Sequence, residues 1–450
     1  MPLAAASIWG ELVIVDKTVQ DEGKERLVIG HRRNRPHYAW VMAAMTFFVV
    51  LAAAGFRATP GVLFEPLEES FGWDKATVGL AVSVNLLLYG LVGPLAAAIM
   101  LRVGLRRHVI GALVVMSAGA LLTLPMNQPW HLVATWGVIV GIGSGGLASV
   151  LAATVATRWF VRHRGIVVGA LTAAGATGQL IFLPVLSSFA VDHGWQRVSI
   201  VIALGSLAAI PIVAIWFRDS PASLGLPPYG GDHVIEHLVT TNPIKTALDG
   251  FRVARTSSAF WLLWGSFAVC GLSTNGLIGT HFIPAGHDHG MSETHAAALL
   301  ALVGIFDVVG TLASGWLTDR FDPRTLLMVY YGFRGISLLF LHQAFDAAHL
   351  GLWAFIIFYG LDWVATVPPT VALCSQLFGP TRAPVVYGWV FAGHQVGAAL
   401  AAVGAGLLRD VTGSYQSAFI IAGIACLLAA FGVRRIHRPS AERADELVSV

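Results

Sequence analysis

Long apolar segments separated by short polar ones dominate the chain from residue 38 onward. A bilayer core is about 30 Å thick, so a helix that crosses it needs about 20 apolar residues. Twelve segments meet this requirement: 38–62, 77–100, 108–126, 130–156, 165–188, 197–217, 259–283, 295–318, 325–344, 349–373, 384–408 and 415–433. The pattern predicts an all-α polytopic membrane protein with twelve transmembrane helices.

One longer polar stretch, residues 218–258, separates the sixth apolar segment from the seventh. It is rich in the turn-forming residues proline and glycine, among them Pro221, Pro228 and Gly230. This composition indicates a linker between two six-helix bundles. The predicted regions are a tail 1–37, a bundle 38–217, the linker 218–258, a bundle 259–433 and a tail 434–450.

Composition excludes a set of soluble domains. Of 450 residues, 56% are hydrophobic and only 12% are charged, too few charges to cover soluble surfaces. The net charge of +3, with no basic patch interleaved with aromatic residues, gives no indication of a nucleic-acid partner. Cys270, Cys374 and Cys426 stand far apart without metal-ligand spacing, so we expect no metal and no cofactor. The first 37 residues lack the features of a signal peptide.

The distribution of basic residues predicts the orientation in the membrane. With the N-terminal tail in the cytoplasm, 23 lysines and arginines fall on that side. Only Lys75, Arg197 and Arg409 fall on the other. Because basic loops stay in the cytoplasm, we expect a multi-pass protein of the cell (inner) membrane with both termini cytoplasmic. We expect the protein to be embedded in the lipid bilayer and to function as a monomer.

An internal repeat supports two related halves. A single shift of 218 residues pairs residues at four matching helix ends. The pairs are Arg102 with Arg320, Phe160 with Phe378, Arg164 with Arg382, and Asp192 with Asp410. One offset serving four loops indicates a parallel duplication, a common plan among transporters.

The loops after helices 2 and 8 resemble the Gly-x-x-x-Asp-Arg-x-Gly-Arg-Arg signature of the major facilitator superfamily. The second copy runs from Gly315 through Asp319 and Arg320 to Arg324. In the first copy, Ala97 to Arg107, Leu101 stands where the family has the aspartate. The resemblance implies a cytoplasmic gate of Arg102, Arg106, Asp319 and Arg320. With Leu101 in the first copy, Asp319 is expected to tie the helix ends alone.

Within the superfamily, the chain resembles the monocarboxylate transporters over about residues 38–433. The run Trp159-Phe-Val-Arg-His-Arg164, followed by Gly169, Ala173 and Gly178, is similar to the fifth-helix signature of that family. The strings 331–335 and 360–370 look like those of bacterial organic-anion transporters. The resemblance implies secondary active transport of a small organic anion.

Arg57 lies inside the first predicted helix. An ionised residue at the membrane centre costs at least about 2.5–3.5 kcal/mol on insertion scales, so it faces the interior, pairs or has a function. A guanidinium can hold a carboxylate through two parallel hydrogen bonds. The monocarboxylate family has a basic residue on its first helix that contacts substrate, and Arg57 matches that role. The alternatives are that the Arg57 side chain extends to the outer membrane–water interface, or that it pairs with Glu65.

Asp307 lies midway along the eighth predicted helix. The family has Phe-x-Asp followed four residues later by Arg, and this pair couples proton to anion; here the arginine position is Thr311. An apolar site favours the neutral form of a carboxyl group, which suits reversible protonation. Asp307 is therefore a candidate for both substrate binding and proton coupling. The alternative is a structural ion pair.

Arg334 and Asp362 lie at similar depths, about 14 Å and about 16 Å from the cytoplasmic helix ends at 1.5 Å per residue. A pair joining helices 9 and 10 is the plain interpretation, because intramembrane charges usually pair. The other possibility places Arg334 between Asp307 and Asp362, so that it releases one of them when substrate or a proton arrives.

Four neutral polar residues within the helices complete a predicted substrate cavity: Asn85, Tyr89, Gln179 and His394. A group of histidines between helices 7 and 8 has no standard metal-site spacing. It consists of His281, His287, His289 and His295, together with Asp288.

The resulting hypothesis is a secondary transporter of a small monocarboxylate-like anion, with a proton as the coupling ion and alternating access. The alternatives are a proton-driven exporter of drugs or metabolites and an anion exchanger. A membrane enzyme is not expected, since no nucleophile–base or nucleotide-binding motif is present. Which acid is carried, and in which direction, stays open at this stage.

Overall fold

The computed structural model describes residues 37–73, 75–147, 149–234, 242–346 and 350–437. Within α1, the side chains of residues 57, 58 and 60–65 lie outside the described part, as do the predicted tails apart from residues 37 and 434–437. Six helical spans form the first half. They are α1 (Tyr38–Phe71), α2 (Lys75–Leu91 and Gly93–Val103), α3 (Leu105–Leu122), α4 (Pro129–Trp159), α5 (Arg164–His193) and α6 (Trp195–Trp216).

Six more spans form the second half. They are α7 (Ser258–Asp288), α8 (Glu293–Thr318), α9 (Pro323–Asp346), α10 (Leu350–Asp362 and Val367–Phe378), α11 (Ala383–Thr412) and α12 (Gln416–Arg434). Over the described residues, eleven helices are long and apolar enough to cross a membrane, and the bent pair in α2 makes twelve. The predicted all-α, twelve-helix fold is confirmed. α1 extends beyond the predicted end at 62 and stops at Gly72, whose φ is 67°.

The two halves use the same helix pairs. In the first half α1 packs on α5, α2 on α4 and α3 on α6. In the second half α7 packs on α11, α8 on α10 and α9 on α12. Between the halves, α2 packs on α11 and α5 on α8. We call the end of the bundle where α2 stops and α3 begins the basic end, because Arg102, Arg106 and Arg107 lie there.

Glycines allow the closest helix contacts. A Cβ at Gly141 of α4 would lie 3.1 Å from the Cα of Asn85 on α2. Between the halves, a Cβ at Gly165 of α5 would lie 2.5 Å from the carbonyl oxygen of Gly315 on α8. One at Gly388 of α11 would lie 2.6 Å from the nitrogen of Pro94 on α2. Small residues replace the hydrophobic effect as the means of helix association in lipid, and the contacts at Gly165 and Gly388 join the two halves.

Two spans are interrupted where the sequence removes backbone donors. α2 bends by 51° between its segments, where Gly93 and Pro94 follow one another. α10 stops at Asp362 and resumes at Val367, directly before Pro368 and Pro369. Proline has no N–H and disfavours helix in the residue before it. Backbone groups released inside a membrane need partners from neighbouring helices, and α10 obtains charged ones.

The predicted linker contains a helix that the sequence analysis missed. The linker helix, Pro243–Ala254, begins at Asn242, whose side chain accepts from the N–H groups of Ile244 and Lys245. Its Ala247 carbonyl accepts from the indole of Trp389 on α11, at 2.9 Å. The signal was present, since asparagine before proline is a common helix start.

Gly310→Ala is expected to destabilise the protein by about 1–3 kcal/mol, the usual range for overpacking. A Cβ at Gly310 of α8 would overlap the Leu361 carbonyl of α10, which cannot move aside as a flexible side chain would. Gly332→Ala on α9 is the matched control, because nothing lies within 4 Å of its Cβ. The control is expected to match or exceed wild type, since alanine favours helix. Thermal unfolding of both purified variants checks this, and equal melting temperatures would contradict it.

Candidate functional site

Arg334 of α9 is fully buried, with 0% of its surface exposed. Its Nε donates to Oδ2 of Asp362 at 2.7 Å. Nη1 donates to Sγ of Cys270 at 3.1 Å and to the hydroxyl of Ser273 at 3.4 Å. Nη2 donates to the backbone carbonyls of Asp362 and Trp363. A guanidinium has five N–H donors, and these contacts account for all five.

Asp362 ends the first segment of α10 and is 5% exposed. One carboxylate oxygen accepts from Arg334, while within the described residues Oδ1 is buried without a hydrogen-bond partner. The structure therefore brings together the two residues that the sequence placed at similar depths. No described contact places Arg334 between Asp307 and Asp362.

Asp307 of α8 is 2% exposed and accepts hydrogen bonds from neutral donors. Its Oδ1 accepts from the hydroxyl of Thr311 at 2.8 Å and from the backbone N–H of Val364 at 3.0 Å. Thr311 thus lies where the family resemblance predicted an arginine, and it binds the carboxylate as a hydroxyl donor. Asp307 is therefore bonded to uncharged donors, whereas Asp362 pairs with Arg334.

Cys270 of α7 is a member of the site that sequence reasoning missed. Its thiol lies 3.1 Å from Nη1 of Arg334 and 3.2 Å from Oγ1 of Thr366, and it also faces His394. A lone cysteine in an apolar segment carries no sequence signal of this role. The α7 backbone beside it, Leu272–Ile278, is π-helical, and the Ser273 carbonyl accepts from the hydroxyl of Tyr359 at 2.6 Å.

The predicted neutral cavity residues make two kinds of contact. One joins helices within a half, and the other lies where the two halves meet. Nδ2 of Asn85 donates to the Trp136 carbonyl at 2.8 Å, which joins α2 to α4. The ring of Tyr89 lies 5.6 Å from that of Phe391, so this pair bridges α2 and α11. The imidazole of His394 stacks on Phe391, with 5.8 Å between ring centroids.

Gln179 and Arg57 are the two remaining predicted site residues. Gln179 is half-buried on α5. The side chain of Arg57 lies outside the described part, although its backbone belongs to α1. Neighbouring residues fix the course of the helix there: Phe56 is buried and stacks on Trp136 at 6.3 Å, and Thr59 is fully buried.

Asp319 bonds across the two halves at the basic end. Its Oδ1 accepts from the N–H of Gly165 at 2.7 Å, and its Oδ2 accepts from the N–H of Ile166 at 3.0 Å. These are free N–H groups in the first turn of α5, where a carboxylate is favoured by the helix dipole. Arg164 adds a second contact between halves, from Nη1 to the Ser375 hydroxyl on α10 at 3.0 Å.

The repeat explains why the first half has no such aspartate. Leu101 corresponds to Asp319 by the 218-residue shift, and Ala383 and Pro384 correspond to the two N–H donors. Pro384 has no N–H, and the N–H of Ala383 already donates to the Gly379 carbonyl at 2.9 Å. A carboxylate at position 101 would therefore lack the donors that Asp319 has. Of the two repeats, only the second therefore supplies a carboxylate that bonds across the halves at this position.

The predicted gate arginines differ in their surroundings. Arg320, just beyond the end of α8, lies over the ring of Trp316, 3.9 Å from the centroid. Arg102 is exposed. The backbone N–H of Arg106 donates at 2.9 Å to Oδ1 of Asp219, a linker residue that the sequence analysis missed. Asp219 also accepts, through its carbonyl, from buried Arg158 of α4 at 3.3 Å.

The histidines between α7 and α8 take part in separate contacts. Nε2 of His281 lies 2.8 Å from the Ala402 carbonyl, and Nδ1 of His289 lies 2.8 Å from the Ala285 carbonyl. Asp288 pairs with Arg409 at 2.8 Å. Among the described residues no group of three or more potential ligands could hold a metal ion.

Comparison with known proteins identifies the family of this chain. The profile of the Major Facilitator Superfamily matches residues 45–370 and 274–448. "Uncharacterized MFS-type transporter YcxA" of Bacillus subtilis (strain 168) is 26% identical over 392 residues, covering 85% of this chain and 91% of that protein. "Monocarboxylate transporter 13" of Bos taurus is 28% identical over 410 residues, covering 88% of each. A crystal structure of the E. coli fucose:proton symporter, FucP, superposes with a TM-score of 0.65 at 16% identity, covering 90% of this chain and 100% of that one.

Proposed function

Because this chain belongs to the major facilitator superfamily and is a transporter, we propose that it carries a small monocarboxylate-like anion together with a proton. The protein lies in the cell membrane, and its basic end faces the cytoplasm, in accord with the excess of arginine in the loops at that end. The two halves rock about the charged site, and one chain forms the functional unit. Similarity to a monocarboxylate transporter over 88% of the chain supports the substrate class.

The main support for this proposal is that all five N–H donors of Arg334 are already bonded within the protein. A substrate carboxylate needs a cation with donors to spare, and every donor of Arg334 is engaged with the protein. The sequence places one other basic residue deep inside the predicted helices, Arg57. We therefore assign the anion to Arg57 on α1, and we assign Arg334 to the support of α10. Asn85, Tyr89, Gln179 and His394 stay proposed neighbours of the substrate.

Asp307 is the proposed proton site. It is buried beside α10 and bonded to a hydroxyl and an amide rather than to a cation, so proton uptake there separates no ion pair. A negative substrate and a proton entering together also leave the net charge of the site unchanged. Arg334 and Asp362 set the surrounding charge balance.

Arg57→Ala is expected to lower carboxylate uptake by about 100-fold or more, since the loss of a hydrogen-bonded charge partner typically costs about 3 kcal/mol. Uptake of a panel of labelled acids into proteoliposomes measures the effect. The panel contains aliphatic monocarboxylates, aromatic acids and dicarboxylates. Arg57→Lys is expected to retain part of the activity, since it keeps the charge and loses only the two-pronged contact.

Arg197→Ala is the matched control, because Arg197 is an exposed arginine at the start of α6. It is expected to transport at the wild-type rate. Normal uptake by Arg57→Ala would overturn the assignment of the anion site. Uptake only against preloaded internal anion would replace symport by anion exchange. Expulsion of an uncharged compound on an inward proton gradient would favour the exporter.

A further inference from the structure

The side chains of Arg334 on α9 and Asp307 on α8 form hydrogen bonds with the backbone at the interruption in α10. Arg334 of α9 donates to the carbonyls of Asp362 and Trp363, at the end of the first segment. Asp307 of α8 accepts from the N–H of Val364, on the way into the second segment. Cations suit carbonyl ends of helices and anions suit N–H ends. Each charge therefore matches the backbone groups that the interruption releases.

We propose that the protonation state of Asp307 sets the geometry of this interruption, with the backbone N–H of Val364 as the receiving group. The ionised carboxylate forms a charge-assisted hydrogen bond, roughly twice as strong as a neutral one. Proton uptake removes that charge, weakens the bond to Val364 and loosens the interruption. The inference deepens the proposed function, on which the role of the proton rests.

The charged groups around Asp307 make their hydrogen bonds to other partners. The charged and titratable groups facing it are Arg334 on α9, Asp362 on α10 and Cys270 on α7. Arg334 is engaged by Asp362 and by the thiol of Cys270. Towards α5, Gly169 packs on the neighbouring turn of α8, with 2.7 Å from its Cβ position to the Thr311 carbonyl. A proton on Asp307 thus acts on its own two hydrogen bonds.

The interruption lies between a fixed segment and a segment that contacts the other half. Before it, Gly360 packs on Phe306 of α8, with 2.7 Å from its Cβ position to the Phe306 Cβ. After it, the second segment carries Ser375, whose hydroxyl accepts from Arg164 of α5 at 3.0 Å. A change between the two segments therefore moves the basic-end contact relative to the charged site. Proton binding in the interior is transmitted in this way to the surface between the halves.

Hydrogen–deuterium exchange of the full-length protein in lipid nanodiscs tests the inference. Amides of residues 363–367 are followed from about pH 8 to about pH 5, with rates corrected for intrinsic exchange chemistry. In wild type, corrected exchange is expected to be about fivefold faster at the acidic end, the difference between a charged and a neutral hydrogen bond. In Asp307→Asn it is expected to be fast at every pH.

Thr311→Val is the matched control, since it removes the other donor to the same oxygen and leaves Val364 in place. It is expected to keep the pH dependence. Exchange of α12 amides, far from the interruption, reports the folding of each variant. A pH-independent wild type, or pH dependence that persists in Asp307→Asn, overturns the inference. The exchange experiment is done without substrate. A protein that shows the expected exchange but takes up no acid would therefore support this inference and overturn the proposed function.

Discussion

Arg334→Ala is expected to lower the free energy of unfolding by about 3–5 kcal/mol, the usual cost of breaking a buried ion pair. The substitution leaves the Asp362 carboxylate buried and unpaired, and it also removes the donor to two carbonyls of the interrupted α10. Thermal unfolding of the purified protein measures the loss. Arg334→Lys is expected to recover only part of it, because an ammonium cannot reach five acceptors in a plane.

An exposed pair supplies the comparison. Arg252 and Asp249 lie 3.0 Å apart in the linker helix, with 66% and 44% of their side chains exposed. Arg252→Ala is expected to change stability by at most about 1 kcal/mol. The double variant Arg334→Ala/Asp362→Ala is expected to be more stable than Arg334→Ala alone, since it removes the unpaired charge. A melting temperature of Arg334→Ala equal to that of Arg252→Ala would contradict a supporting role.

Asp307→Asn is expected to abolish proton-driven accumulation while leaving substrate exchange. With one coupled proton, an inward gradient of about one pH unit supplies about 1.4 kcal/mol and about tenfold accumulation. An amide cannot carry that proton, so the variant is expected to equilibrate its substrate without concentrating it. Proteoliposomes with and without a gradient measure the ratio of internal to external acid.

Asp249→Asn is the matched control, since it removes an acid from an exposed helix outside the bundle. It is expected to accumulate substrate as wild type does. Tenfold accumulation by Asp307→Asn would move the proton to another group, with Asp362 the next to test. Loss of exchange as well as accumulation would show that Asp307 also binds substrate.

The candidate site was only partly predictable. Arg334 and Asp362 could be paired from the sequence because a helix rises 1.5 Å per residue and the bilayer fixes where each helix starts. Depth alone could not show that all five donors of Arg334 are engaged, or that Cys270 lies beside it. Those contacts depend on how each helix is rotated about its axis against its neighbours, which the apolar pattern of one helix leaves open.

The sequence by itself determined the twelve spans, since apolar length must match bilayer thickness and every backbone group inside lipid must find a partner. Tertiary structure decided how the interrupted α10 meets that demand, through Asp307 and Arg334 on two other helices. It also decided that Asp319 bonds across the halves while Leu101 does not. Whether a carboxylate finds free N–H groups depends on the helix end that packing brings opposite it, and residues far apart in the chain meet only in the folded bundle.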